Sequence, residues 1–167
     1  VLRFPAWSPD GKKIAFESIT TGKGLLIETI NIDQPSERRT VSQDFASVGG
    51  LAWTRDGKFL VLSGQDRKDK RYQVFQLNLQ NGEAAKLTNE LSGYYGIGTS
   101  NDGEKIVSVR SERMANIWVS SPGKTDSPQR LTSEAGTDDG IEGLTWMSED
   151  HLVYTRKING ERSLWIA

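Results

Sequence analysis

Few residues in this chain could do acid–base, nucleophilic or metal chemistry, and their spacing does not serve it. His151 is the only histidine, so any triad or histidine-ligated metal would rest on one side chain. No Gly-x-Ser-x-Gly stretch occurs, which removes the local signature of a serine-hydrolase nucleophile elbow. There is no cysteine, and this excludes disulfides, thiolate catalysis and cysteine metal sites. Glu134, Asp138, Asp139 and Glu142 gather acid in one stretch, and several oxygen ligands suit a hard cation. That stretch lacks the spacing and central glycine of an EF-hand loop, so it reads as a solvated connection. No glycine-rich phosphate cradle opens a helix. The expectation is a chain without catalytic residues, cofactor or metal.

Binding chemistry is better represented. Tyr94 and Tyr95 stand immediately before an alternating apolar segment, while Arg110, Glu112 and Arg113 occupy the connection leading to Ile117 and Trp118. Aromatics beside arginines are favoured anchors at protein interfaces. These five are the candidate ligand- or partner-binding residues; the plainer reading packs the tyrosines beneath the loop and leaves the charges solvated. A net charge of -1 and a pI near 5.9 supply no basic surface for nucleic acid. The densest charge cluster, Arg67 to Arg71, is interrupted by acid and reads as a solvated loop tip. No apolar run approaches the roughly 20 residues of a membrane helix. The chain begins on Val1, and its ends read as cut from a longer parent.

The elements that must position these residues are set by repetition. Phe4-Pro-Ala-Trp-Ser-Pro-Asp-Gly-Lys-Lys-Ile-Ala-Phe16 returns as Gly50-Leu-Ala-Trp-Thr-Arg-Asp-Gly-Lys-Phe-Leu-Val-Leu62, then as Gly96 to Ser108. A worn fourth copy runs from Gly143 to Tyr154. The period is about 46 residues, in the range of propeller blades and solenoid units. Each copy resolves into four strand signals. The first ends at Trp7, Trp53, Thr99 or Trp146, preceded by a small residue that suits crowding around a channel. Asp10-Gly11, Asp56-Gly57 and Asp102-Gly103 follow as tight reversals, with the aspartates as turn formers. The second strands (Ile14 to Phe16, Leu60 to Leu62, Ile106 to Val109, Leu152 to Tyr154) are nearly continuous apolar runs, as expected of strands covered on both faces.

The third strands are expected at Leu25 to Ile30, Val74 to Leu77, Ile117 to Val119 and Leu164 to Ile166. Turns such as Gln80 to Glu83 or Ser121 to Gly123 lead to fourth strands closing on Ser42, Thr88 and Thr132. The last copy has no fourth strand, and no helical periodicity occurs. Repeat units of 1–46, 47–92, 93–138 and an incomplete 139–167 follow. Trp7, Trp53 and Trp146 are expected to be buried at equivalent positions, with Trp118 and Trp165 in the core. The reading is an all-β chain, a β-propeller fragment of about three and a half four-stranded antiparallel blades.

Trp7-Ser-Pro-Asp-Gly-Lys-Lys-Ile-Ala-Phe16, with a later apolar strand and a Leu-Thr ending, resembles the WD-like repeat of TolB-type β-propellers across essentially the whole chain. Leu87-Thr-Asn-Glu-Leu-Ser-Gly-Tyr-Tyr95 followed by Ser111 to Val119 resembles the propellers fused to bacterial serine/threonine protein kinases and winged-helix regulators. Arg55 and Asn101 depart from the pattern where it has proline, Thr99 where it has tryptophan, and Glu149-Asp150 where it has Asp-Gly. The resemblance implies a non-catalytic interaction or ligand-sensing module on the extracytoplasmic or periplasmic side. Its partners would be a protein or small-molecule ligand and the remaining blades of its parent. Two alternatives share the fold: the gating propeller of a prolyl-oligopeptidase-like serine peptidase, and a TolB-like periplasmic scaffold.

Overall fold

The computed structural model describes every residue except 69, 70, 91, 101, 122, 124–126 and 159. Asp69 and Lys70 of the charge cluster, Asn101 of the third Asp-Gly turn and Pro122 of the Ser121–Gly123 turn therefore lie outside the described residues. Among the described residues there is no helix, and the chain divides into two compact units, Val1–Ser111 and Glu112–Ala167.

The first unit contains two complete four-stranded antiparallel meanders. One is β1 (Leu2–Trp7), β2 (Lys13–Thr20), β3 (Gly24–Asn31) and β4 (Gln34–Ser42). The other is β5 (Phe45–Trp53), β6 (Phe59–Asp66), β7 (Gln73–Asn78) and β8 (Ala84–Lys86). A two-stranded sheet follows, β9 (Gly93–Thr99) with β10 (Ile106–Ser111). The second unit holds β11 (Trp118–Val119) paired with β12 (Gln129–Arg130), and a three-stranded meander of β13 (Thr137–Trp146), β14 (Leu152–Ile158) and β15 (Glu161–Ile166). These are the strands of a propeller fragment, each sheet running antiparallel in chain order.

Three turns repeat one hydrogen-bonded design. Ser8, Thr54 and Ser100 donate their hydroxyls to Asp10, Asp56 and Asp102, and each aspartate accepts the backbone N–H two residues on, at 3.0 Å in every copy. Gly11, Gly57 and Gly103 follow at φ 69°, 67° and 74°. The aspartates are turn formers, and the sequence shows it because the device is local. The worn fourth turn is closed differently, by Ser148 Oγ and His151 Nδ1 at 2.9 Å.

Each innermost strand also carries a bulge. Register slips between Arg3 and Ala6, Val48 and Gly50, Tyr95 and Gly98, and Asp139 and Leu144. The residue at the slip has positive φ in all four strands: Phe4 at 52°, Gly50 at 156°, Gly96 at 64° and Gly143 at 144°. Glycine tolerates that conformation, which explains three of the four copies. Phe4 is the exception, held there while its ring packs against the core.

The core of the first unit lies between its sheets. Ala15 and Ile27 meet Phe45, Val48, Leu51, Trp53, Leu60, Leu62, Phe75 and Leu77. Trp53 is buried, and its indole Nε1 donates to the Ala6 carbonyl of the preceding innermost strand at 2.9 Å. Trp7 occupies the same register but is 59% exposed. It lies on the other face of its sheet, paired with Ile14, and no sheet of the first unit covers that face. Its neighbours Leu2, Pro5, Ile14, Phe16 and Ile30 line an open groove of about 250 Å³. Ile106, Val107 and Val109 of β10 are likewise exposed, so the expected two-sided cover is absent for this strand.

In the second unit the small core is Ile117, Leu152 and Tyr154. Strand alternation that turns Ile117 inward turns Trp118 outward, and Trp118 is exposed instead of core. Trp165 is 43% exposed on the edge strand β15. Trp146 is exposed too, because the two-stranded β11–β12 sheet leaves a groove of about 230 Å³ beside it. Of the three tryptophans expected to be buried in shared register, only Trp53 is.

Candidate functional site

The end of the first unit opposite its Asp-Gly turns gathers an aromatic and charged rim. Antiparallel pairing of β9 and β10 sets Tyr94 opposite Arg110 and Tyr95 opposite Val109. Tyr72, the residue before β7, accepts the Tyr94 backbone N–H on its carbonyl at 2.8 Å. That bond brings the two aromatic positions together. The rings of Tyr72 and Tyr95 stand 4.8 Å apart, tilted by 43°, and Tyr72 Oη shares a 2.6 Å hydrogen bond with Ser47 Oγ. Tyr95 remains 43% exposed on top of this support.

A polar arc continues from the tyrosines. Tyr94 Oη donates to Glu90 Oε2 at 2.9 Å, Arg110 Nε donates to Ser92 Oγ at 3.0 Å, and an Arg110 guanidinium nitrogen lies 3.4 Å from the same Glu90 carboxylate. The arc is anchored from below by Gln73, which is fully buried. Its amide donates to the carbonyls of Glu90 and Ser92 at 3.2 and 2.9 Å, and its oxygen accepts from the Thr88 hydroxyl at 2.7 Å. A buried amide satisfied on both ends fixes a loop, since breaking any one bond would strand a desolvated polar group. Arg71 adds a 2.9 Å bond to the Glu90 carbonyl.

The five residues singled out from the sequence fall into two groups. Tyr94, Tyr95 and Arg110 converge on this rim. Glu112 and Arg113 belong to the second unit, where Arg113 Nε lies 3.2 Å from Asp138 Oδ1. Tyr72, Gln73 and Glu90 complete the rim and were not anticipated. A polar Gln73 at the head of the apolar run Val74-Phe-Gln-Leu77 was the available signal.

The acidic stretch of the second unit is not a solvated connection. Asp138, Asp139 and Glu142 lie in β13, and Asp139, whose side chain is fully buried, accepts two bonds from Arg156 at 2.7 and 3.0 Å. Arg156 also donates to Glu134 at 2.7 Å, and its guanidinium lies 4.3 Å from the Trp165 ring centroid. The hydrogen bonds to Asp139 raise the Arg156 pKa above its ordinary value, against the opposing effect of burial. Glu142 pairs with Arg162 at 2.6 and 2.8 Å, and that bond lowers its pKa. These carboxylates neutralise arginines and hold β13 to β14 and β15. The clustered acid was legible; its partners were not.

No family model matches the sequence. A rice (Oryza sativa subsp. japonica) protein named chromatin assembly factor 1 subunit FAS2 homolog is 28% identical over 136 residues, covering 78% of this chain and 25% of that protein. Among solved structures, a putative TolB from Agrobacterium tumefaciens aligns with a TM-score of 0.58 at 14% identity, over 99% of this chain and 50% of its own. TolB from Acinetobacter baumannii gives 0.53 at 16% identity, over 98% and 42%. A puromycin hydrolase gives 0.55 at 17% identity, over 95% and 25%. The chain thus spans half or less of each of these proteins. What is shared at such identities is the architecture, and this chain has the fold of a TolB-like β-propeller.

Proposed function

We propose that this propeller fragment is a non-catalytic binding module of a larger protein, engaging a protein segment or small ligand through the Tyr72, Tyr94, Tyr95, Glu90 and Arg110 rim. The observation that carries this reading is Tyr95. A large aromatic side chain is left exposed while its support, from the Tyr72 ring down to Ser47 and Gln73, is held in place. Rigid aromatics beside an arginine give contact area at low entropic cost. The rice relative, named as a subunit of an assembly factor, favours the same class. The parent we favour is a bacterial signalling kinase or transcriptional regulator with an extracytoplasmic propeller, on the strength of the repeat's resemblance to such fusions. A gating propeller of a peptidase is the second reading, kept because puromycin hydrolase shares the architecture.

Panning a random peptide display library against the purified chain tests the rim. Tyr95→Ala and Arg110→Ala should each weaken the selected peptides at least about tenfold, with unfolding free energy within about 1 kcal/mol of wild type. Peptides that bind both variants as tightly as wild type remove this rim as the site.

A further inference from the structure

A buried carboxyl on β2 serves neither the rim nor the ion-pair network of the second unit. Glu17, on β2, is 2% exposed, and its Oε2 has no hydrogen-bond partner. It shares a face with Ala15 and pairs in register with Ile27, and both of those residues pack in the core shared with β5. The second blade shows what this position does. There the equivalent residue is Ser63, fully buried, whose hydroxyl donates across to the Tyr94 carbonyl of the next innermost strand at 2.5 Å. By the repeat, the matching carbonyl for Glu17 belongs to Val48 on β5. A serine hydroxyl can always donate to a carbonyl; a carboxyl can do so only when it keeps its proton.

We propose that Glu17 is a proton-controlled latch between the first two blades, neutral when β2 is seated against β5 and loosening that contact when it ionises. Arg3, its register partner on β1, is the charged group facing it. β5 contains no titratable residue between Phe45 and Trp53, and the one on β3, Glu28, pairs with Phe16 on the opposite face. Burial raises the Glu17 pKa above the ordinary glutamate value, with Arg3 opposing. A folded pKa above the unfolded one means the folded state holds the proton more tightly. The stabilisation is complete below the ordinary glutamate range and is lost as pH climbs through the folded value.

The test uses the 167-residue chain. Hydrogen exchange of the Val48–Leu51 amides, corrected for intrinsic rate, should lose protection as pH rises above the ordinary glutamate range. The loss is about tenfold for each unit by which the folded pKa exceeds the free one. Glu17→Gln, which keeps a donor at every pH, should abolish that loss, and Glu17→Ser, the residue of the second blade, should do the same if the glutamine disturbs folding. The Glu17 carboxyl ¹³C resonance should titrate above the free glutamate value. Unchanged pH dependence in both variants, or a carboxyl that titrates at or below the free value, overturns the latch.

Discussion

The two complete blades are built from one repeat and bury many matching positions alike, yet they differ at three of them. Trp53 is covered and donates to Ala6, whereas Trp7 in the same register stands in the open. At the bulge Gly50 adopts φ 156° without a side chain, and Phe4 adopts φ 52° with one. Ser63 satisfies itself against the next strand, and Glu17 does not. Register dictates where a side chain points; the neighbouring sheet dictates whether it is buried. The largest test of that statement is the tryptophan pair. Trp53→Ala should cost about 3 to 5 kcal/mol, and Trp7→Ala within about 1 kcal/mol, as for other largely exposed sites. Equal losses of the two midpoints in a urea titration would dissolve the contrast.

The bulge sharpens the comparison at smaller scale. A Cβ on Gly50 would stand 3.0 Å from the Ile97 backbone nitrogen and 3.2 Å from Gly96 Cα, at φ 156°. Backbone cannot swing aside as a side-chain tip can, so Gly50→Ala should cost about 1 to 3 kcal/mol. Gly57→Ala, at φ 67° in open space, carries only the left-handed penalty of about 1 kcal/mol. Measuring both by chemical denaturation separates crowding from conformation. If they cost the same, the close approach of β5 and β9 contributes nothing.

These contrasts also show where sequence reasoning succeeds. The Asp-Gly turns and the ends of the innermost strands were legible because each is written in four to six consecutive residues. The grouping of Tyr94, Tyr95 and Arg110 was legible because one hairpin, β9 to β10, brings them together. Tyr72 and Gln73 were not, since their roles depend on bonds to residues about 20 positions away. Arg113 follows Arg110 by only three residues, but the backbone of Ala115 bonds to Thr137 and Asp139, and that stretch belongs to the second unit. Burial of Trp7 and Trp146 failed as an expectation because the repeat encodes a face without encoding its cover.

The smallest expected effect sets the first blade's buried carboxyl against the exposed ones in the turns. Asp10, Asp56 and Asp102 have pKa values lowered below the ordinary aspartate value, first by the hydroxyl bonds from Ser8, Thr54 and Ser100 and then by backbone N–H bonds. A depressed folded pKa means the folded state gives up its proton more readily than the unfolded chain. The contribution is therefore present above the ordinary aspartate range and lost as pH falls through the folded value. Glu17 has the opposite sign, since its contribution is lost as pH rises. Asp56→Asn should thus leave the urea midpoint at pH 7 changed less than either Trp53→Ala or Gly50→Ala, and should flatten the fall in midpoint between pH 4 and pH 2. It should leave untouched the loss above the ordinary glutamate range that Glu17→Gln removes. A variant in which one substitution alters both limbs would mean that the turn and the blade interface titrate as one system.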